Sequence, residues 1–259
     1  MSMDILCPVC LKKLHPVDKA YKCENGHSFD LAKEGYLNLN RKSSQNTGDN
    51  PEMIKARKRF LEKGYYDFMK KEVNELLKPE ETLIDLACGE GYYTKDFVCK
   101  DKVGIDLSKS GLKIASKSDK STTYLLNSIF HNPLSDKCAD KIVTIFAPIA
   151  EEEILRLLKD DGSFILVRPD ERHLYELKNA IYASAYLNEA KDVFVKGMKR
   201  VRQIPVSQKA TVPHDDLLDL FMMTPYVNTT SKEDKEKLEQ IETLDVSFCF
   251  LIDVFKKAI

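Results

Sequence analysis

The sequence predicts an α/β fold with a doubly wound parallel sheet, preceded by a small cysteine-containing module. Three observations carry that expectation. The first is residues 82–91, TLIDLACGEG, where Leu83, Ile84 and Leu86 make a short apolar run with Asp85 near its carboxyl end. Such a run, closed by the small-residue turn Ala87-Cys88-Gly89-Glu90-Gly91, reads as a buried strand, and residues 92–97 are then expected to open a helix. The second is Lys102-Val103-Gly104-Ile105-Asp106, another strand, whose terminal acid stands fifteen residues past Gly91. The third is the alternation of strand-like and helix-like segments after Asp106, the pattern of a parallel sheet covered on both faces.

A strand feeding a glycine-containing turn is where an α/β sheet binds nucleotide-like ligands, and Asp106 is placed to accept hydrogen bonds from ribose hydroxyls. A dinucleotide site would show G-x-G-x-x-G. Here the last glycine is missing, and Glu90 would repel phosphates. The turn, D-x-A-C-G-x-G, resembles motif I of the S-adenosylmethionine-dependent methyltransferases, whose cofactor has no phosphate and carries a cationic sulfonium. Ala87 stands where that motif usually has glycine.

Composition bounds the rest. A chain of 259 residues with 43% hydrophobic content can build one large domain, or one domain plus a small module. No apolar run is long enough for a membrane span, and the amino-terminal residues lack the pattern of a signal peptide. Seven cysteines in such a chain point to thiols or metal rather than disulfides, and to a cytoplasmic protein. The formal net charge of −1 is unevenly spread. Residues 41–63 hold seven Lys/Arg (Arg41, Lys42, Lys55, Arg57, Lys58, Arg59, Lys63), and residues 191–209 hold six (Lys191, Lys196, Lys199, Arg200, Arg202, Lys209). Two basic islands are what a localised polyanion contact requires, although solvated faces would produce the same pattern.

Taken in order, the chain opens with Cys7, Cys10, Cys23 and His27 in the spacing C-x2-C-x12-C-x3-H. Three soft thiolates and an imidazole are the ligand set of tetrahedral zinc, and with all four positions filled by protein the site is closed and structural. About 40 residues cannot build a sufficient core, so metal is expected to hold this segment together. A polar linker at 41–50 leads to a helix at 51–63, with Asn50 as N-cap, Pro51 in the first turn and Gly64 at the end. A second helix follows to Leu77. Beyond Asp106, Ser108 caps a helix through Ala115, residues 122–126 form a strand, and Asn127 or Ser128 is placed to reach an adenine edge. A strand at 140–146 ends in Ala147-Pro148. A helix at 149–158, a strand at 163–167, a helix at 174–186, and late strands near 200–208 and 244–255 around a polar helix near 232–241 complete the reading.

The segments CPVC, KCENGHSFDLAKEGYLNL, GDNPEMIKARKRFLEKGYY, DLACGEGYYT, GIDLSK, FAP, RHLYELK and MTPY occur in this order. Together they resemble the 23S ribosomal RNA guanine-N1-methyltransferases, the zinc-containing family that modifies a hairpin loop. The resemblance implies a class I, Rossmann-like methyltransferase sheet. It divides the chain into a zinc-binding RNA-recognition module at 1–40, a linker and helical segment at 41–77, and an S-adenosylmethionine-dependent domain at 78–259. It implies zinc on Cys7, Cys10, Cys23 and His27. Cofactor contacts fall on Tyr66, Asp85, Gly89, Glu90, Gly91, Asp106 and His173. The implied partner is a 23S ribosomal RNA hairpin; a homodimer is a candidate assembly that the sequence leaves open.

Methyl transfer to guanine N1 needs alignment, exclusion of water and relief of the N1 proton. Asp170, Glu171 and the Ala147-Pro148 turn are candidates for that last task, and Tyr92, Tyr93 or Phe146 for stacking on an extruded base. Arg57, Lys58 and Arg59 are expected to meet RNA phosphates. Two alternatives stay open at this point: a methyltransferase acting on tRNA or a small molecule, and a non-enzymatic zinc-dependent RNA-binding protein.

Overall fold

The computed structural model describes residues 3–41, 50–189 and 192–258. Most of the expected linker, with Lys42, and Lys191 of the second basic island lie outside the described residues.

Three short antiparallel strands open the chain: β1 (His15–Val17), β2 (Ala20–Lys22) and β3 (Ser28–Asp30). The next strand, β4 (Leu37–Asn38), leaves them and joins the main sheet. Helices α1 (Pro51–Leu61) and α2 (Asp67–Asn74) follow. The body is β5 (Thr82–Leu86), β6 (Asp101–Asp106), α3 (Lys109–Ser118), β7 (Thr122–Leu126), β8 (Ala139–Ile145), α4 (Glu151–Leu157), β9 (Leu158–Pro169) and α5 (Tyr175–Ile181). A hairpin of two long strands, β10 (Met198–Pro213) and β11 (Thr243–Lys257), encloses α6 (His214–Met222) and α7 (Lys232–Leu238).

The main sheet has the order β10-β11-β9-β8-β5-β6-β7-β4. From β4 to β9 it is parallel, and β11 and β10 close it antiparallel. The chain winds outward from β5 through β6 to β7, then returns to the other side of β5 with β8 and β9. The reversal puts a crevice above the carboxyl ends of β5 and β8. Every residue of β5 is buried, as a central strand covered on both faces requires. One face packs Phe60, Met69, Val73, Leu177, Leu217 and Phe250 over Leu83 and Val143. The other packs Ile154 and Leu157 over Ile84 and Ile142.

Ile5, Leu14, Leu37 and Leu39 of the amino-terminal segment lie in this second apolar cluster rather than in one of their own. Leu6 N–H also donates to Pro133 O at 2.7 Å, fixing the segment to the loop after β7. The caps read from the sequence are in place. Asn50 Oδ1 accepts from Met53 N–H at 2.9 Å, and Ser108 Oγ accepts from Gly111 N–H at 3.1 Å.

Three elements differ from expectation. No α-helix follows the CGEG turn; residues 94–96 make a single 3-10 turn. Lys102, buried in β6, explains this: its Nζ donates to the carbonyls of Thr94, Lys95 and Phe97 at 2.9, 3.1 and 3.1 Å. Those carbonyls would otherwise be free to accept the N–H groups of a continuing helix. The helix expected at 174–186 stops at Ile181, and the Tyr182 hydroxyl is drawn instead to Thr230 Oγ1 at 2.7 Å. Helix α6 was not expected. Its sequence HDDLLDLFM is short, but Leu217, Leu220 and Phe221 give it a buried stripe and two acids favour its first turn. No helix among the described residues is long and apolar enough to cross a membrane.

Candidate active site and metal centre

Cys7, Cys10, Cys23 and His27 converge, with one ligand atom from each lying within 4.8 Å of all the others. The Cys10 and Cys23 sulfurs are 3.7 Å apart, and His27 Nδ1 stands 3.5 Å from Cys7 Sγ and 3.3 Å from Cys23 Sγ. Zn–S bonds near 2.3 Å in a tetrahedron place sulfurs about 3.8 Å apart, so these four atoms already have the edges of a zinc site. Local backbone builds it. Val9 N–H points at Cys7 Sγ at 3.4 Å, and Gly26 takes φ +80° to turn the chain between Cys23 and His27. The Cys10 thiol is pushed down to about 6, first by a backbone N–H from Lys12, which favours the thiolate that zinc needs. No described group besides these four gathers metal-type ligands.

Above the switch point lies a cavity of about 910 Å³. Six of the seven expected cofactor residues line it: Tyr66, Asp85, Gly89, Glu90, Asp106 and His173. Gly91 does not. A Cβ there would stand 2.7 Å from the Tyr124 hydroxyl and 2.9 Å from Ala115 Cβ, so its part is to let the turn close onto α3 and β7. The turn hooks over β6 through Ala87 and Cys88 N–H, both donating to Ile105 O. Ala87 itself sits at φ +67°, a left-handed conformation that favours the glycine usual in this motif.

Asp106 stabilises the same turn. One of its oxygens accepts from Gly89 N–H at 2.8 Å and the other from Ser108 N–H at 2.6 Å. Asp85 lies beneath, with Thr94 Oγ1 donating to it at 2.5 Å. Burial pushes the Asp85 carboxyl up to about 7 and raises Asp106 and Glu90 as well. Arg57 is the cation facing them, with Nη1 3.6 Å from Glu90 Oε2. Three buried carboxyls and one guanidinium leave this half of the cavity poised for a cationic ligand and hostile to phosphate.

The other half is aromatic and more open. Tyr66 is buried with its ring edge-on to Phe60, Phe248 and Phe250. His173 is buried beside it, 4.5 Å from the Phe250 ring. Its Nδ1 accepts from Cys249 N–H at 3.2 Å, so the ring proton sits on Nε2. Burial, with Lys178 nearby, lowers its pKa to about 3, which makes His173 a neutral donor. Phe146 and Phe130 line the same cavity 44% and 49% exposed, and Phe146 takes φ +56°. A large residue held in the left-handed region is strained, and strain of this kind gathers at binding sites.

Several expected residues lie elsewhere. Asn127 and Ser128 do not line the cavity; the Asn127 amide closes its own loop on His131 O at 2.6 Å, and Ile129 and Phe130 reach the cavity instead. Asp170 and Glu171 are outside it, while Ala147 and Pro148 are at its wall. The three stacking candidates all line the cavity: Tyr92 is largely buried with its hydroxyl on Asp67 at 2.6 Å, Tyr93 is at the wall, and Phe146 presents its ring. Arg57, Lys58 and Arg59 project in three directions. Arg57 turns into the cavity toward Glu90, Lys58 pairs with Glu62 at 2.7 Å, and Arg59 grips Asp219 on α6. On a helix, consecutive residues point in different directions, and each found the nearest acid.

Arg57, Phe130, Arg168 and the segment from Met223 to Tyr226 were not singled out as cavity residues. A lone arginine closing the apolar strand FILVR was a signal that could have found Arg168.

Residues 5–45 match the zinc-ribbon family described as RlmA, N-terminal, and residues 77–242 match a methyltransferase domain family. The chain is 29% identical to the Bacillus subtilis protein YxjB, provisionally named a 23S rRNA (guanine-N(1)-)-methyltransferase, over 93% of both chains. It is 28% identical to the Streptomyces fradiae 23S rRNA (guanine(748)-N(1))-methyltransferase, covering 68% of this chain and 66% of that one. A Micromonospora griseorubida protein with a provisional name of the same kind is 31% identical, covering 66% and 67%. Among solved structures, a methyltransferase in complex with the Haloferax volcanii Trm112 activator superposes with a TM-score of 0.51 at 17% identity, covering 82% of this chain and all of that one. That likeness shows the class I methyltransferase fold. The ribbon, the sheet and the cleft above its switch point thus fall into one lineage, and the chain belongs to the 23S ribosomal RNA (guanine-N1)-methyltransferase family.

Proposed function

We propose that this chain uses S-adenosylmethionine to methylate N1 of a guanine in a hairpin loop of 23S ribosomal RNA. The observation that carries the reading is the division of one cleft into a buried acidic half and an open aromatic half. When bound, the cofactor supplies an electrophilic methyl on a cationic sulfonium. Asp106, Glu90, Asp85 and the Gly89 turn would hold it, with Tyr66 and the Nε2–H of His173 on the far side. Gly91 contributes by closing the turn. Zinc, on Cys7, Cys10, Cys23 and His27, has a structural part.

The rest follows from what these residues can do. Guanine N1 is paired in a duplex, so the target base must leave its stack, and Phe146 and Phe130 offer faces for it. N1 then releases its proton and uses the freed lone pair to accept the methyl, while the old bonding electrons stay on sulfur. Asp85, Glu90 and Asp106 are each engaged by Thr94, Arg57 or backbone N–H groups, and His173 is a donor. The N1 proton therefore passes to water at the mouth of the cleft.

The division at residues 40 and 77, a cytoplasmic location with the ribosomes and a homodimer are parts of this proposal. Nucleoside mass spectrometry of 23S ribosomal RNA tests it. Deleting the gene is expected to remove one 1-methylguanosine, and retention of that nucleoside contradicts the proposal.

A further inference from the structure

Helix α1 walls the cleft with a single face. Met53, Arg57 and Leu61 stand four residues apart and all three line the cavity, so an otherwise apolar face carries one charged residue at its middle. The helix is fixed to α6. Arg59 Nε donates to Asp219 Oδ2 at 2.8 Å, and the hydroxyl of Tyr65, just beyond the helix, donates to Asp216 Oδ2 at 2.8 Å. The Arg57 guanidinium is thereby carried onto the CGEG turn. Its Nη1 stands 3.6 Å from Glu90 Oε2, and a Cβ built on Gly89 would meet the same nitrogen at 3.5 Å.

That position disfavours a sulfonium and calls for an anion. S-adenosylmethionine has one, its α-carboxylate, besides the sulfonium and the α-ammonium. Among Asp85, Glu90 and Asp106 this carboxylate would be repelled unless a cation faced it. Two cationic side chains line the cavity among the described residues, Arg57 and Arg168. Arg168 ends the apolar run of β9, and its Nε is engaged by the buried Asp253 at 2.8 Å. Arg57 is the one that shares the turn with the three acids. Its 3.6 Å approach to Glu90 is longer than a charge-assisted hydrogen bond of about 2.7–2.9 Å, so Glu90 attracts the fork without the two-pronged grip that Asp219 has on Arg59. An RNA phosphate would meet the same acids with nothing to offset them. The cofactor brings its carboxylate together with two cationic groups that those acids favour.

Resting on the reading of the chain as an S-adenosylmethionine-dependent methyltransferase, we propose that the Arg57 guanidinium holds the α-carboxylate of the cofactor. Helix α1 is then part of the cofactor site, and the pocket recognises the amino-acid end of its ligand as well as adenosine and sulfonium.

The test is calorimetry with two ligands: S-adenosylmethionine, and its decarboxylated form, which keeps the adenosine, the sulfonium and the amine. Wild type is expected to bind the first roughly 10- to 100-fold more tightly, the strength of a charge-assisted contact. Arg57→Met keeps a long side chain without its charge. It is expected to lose that margin for S-adenosylmethionine while binding the decarboxylated ligand as wild type does. Arg57→Lys keeps the charge without the fork and is expected to fall between them. Equal affinity of wild type for the two ligands overturns the proposal. So does a parallel loss of both in Arg57→Met, the result of a merely structural role. RNA affinity is measured on the same proteins, and a loss there with the ligand preference intact assigns Arg57 to a phosphate and overturns the proposal too. Failure of wild type to bind either ligand is a separate result, which overturns the methyltransferase reading and this inference with it.

Discussion

The two halves of the cleft are built in different ways. The acidic half comes from one stretch of chain, residues 85–108, where a strand end, a turn and a helix cap lie close in sequence. The aromatic half is assembled from Tyr66, Phe130, Phe146, Arg168, His173 and Met223 to Tyr226, which come together only when the sheet and the β10–β11 hairpin close. The first half can therefore be tuned by local substitutions. The second depends on how distant elements dock, including the zinc segment that holds the loop bearing Phe130 through Leu6 and Pro133.

Loss of zinc should separate the halves most sharply. Structural zinc supplies on the order of 10 kcal/mol to such segments. Cys23→Ser protein is expected to lose its metal by elemental analysis and to lose hydrogen-exchange protection over residues 5–31. It should methylate RNA poorly while retaining cofactor affinity. Collapse of cofactor binding along with the metal would break the comparison.

Asp106→Ala attacks the acidic half alone. It removes the proposed ribose acceptor and the two backbone N–H contacts that shape the turn. Cofactor binding by calorimetry is expected to weaken by about 3 kcal/mol, with RNA affinity unchanged.

Asp85 gives that half a pH signature. Its carboxyl is raised from 3.8 to about 7, so between those values the folded chain holds a proton that the unfolded chain has released. That contribution to stability is complete below about pH 4 and is lost as pH rises through 7. Asp85→Asn is expected to flatten this decline by on the order of 4 kcal/mol in urea titrations across that range.

Phe146→Ala should act on the other half. Loss of a stacking face is expected to cost about 1–2 kcal/mol in kcat/KM for RNA, leaving cofactor affinity as it was. A parallel loss of cofactor affinity would show that the halves are not separable at Phe146.

What the sequence revealed follows the same division. Strand β5, the CGEG turn, Asp106 and the Ser108 cap are close neighbours whose roles depend on local geometry, and the four zinc positions are written in their spacing. The missing helix after the turn was hidden because Lys102, on the next strand, decides it. The ion pairs of Arg57 and Arg59 were hidden in the same way, because Glu90 and Asp219 are 33 and 160 residues from their partners. Arg168 escaped notice for the same reason, since Asp253 becomes its neighbour only through the pairing of β9 with β11.

The most direct measurement is reconstitution. Purified protein is incubated with isotopically methyl-labelled S-adenosylmethionine and unmodified 23S ribosomal RNA, and the RNA is digested for nucleoside mass spectrometry. The account predicts labelled 1-methylguanosine from a single guanine. Label on adenine, on another guanine atom, or on no nucleoside at all would contradict it.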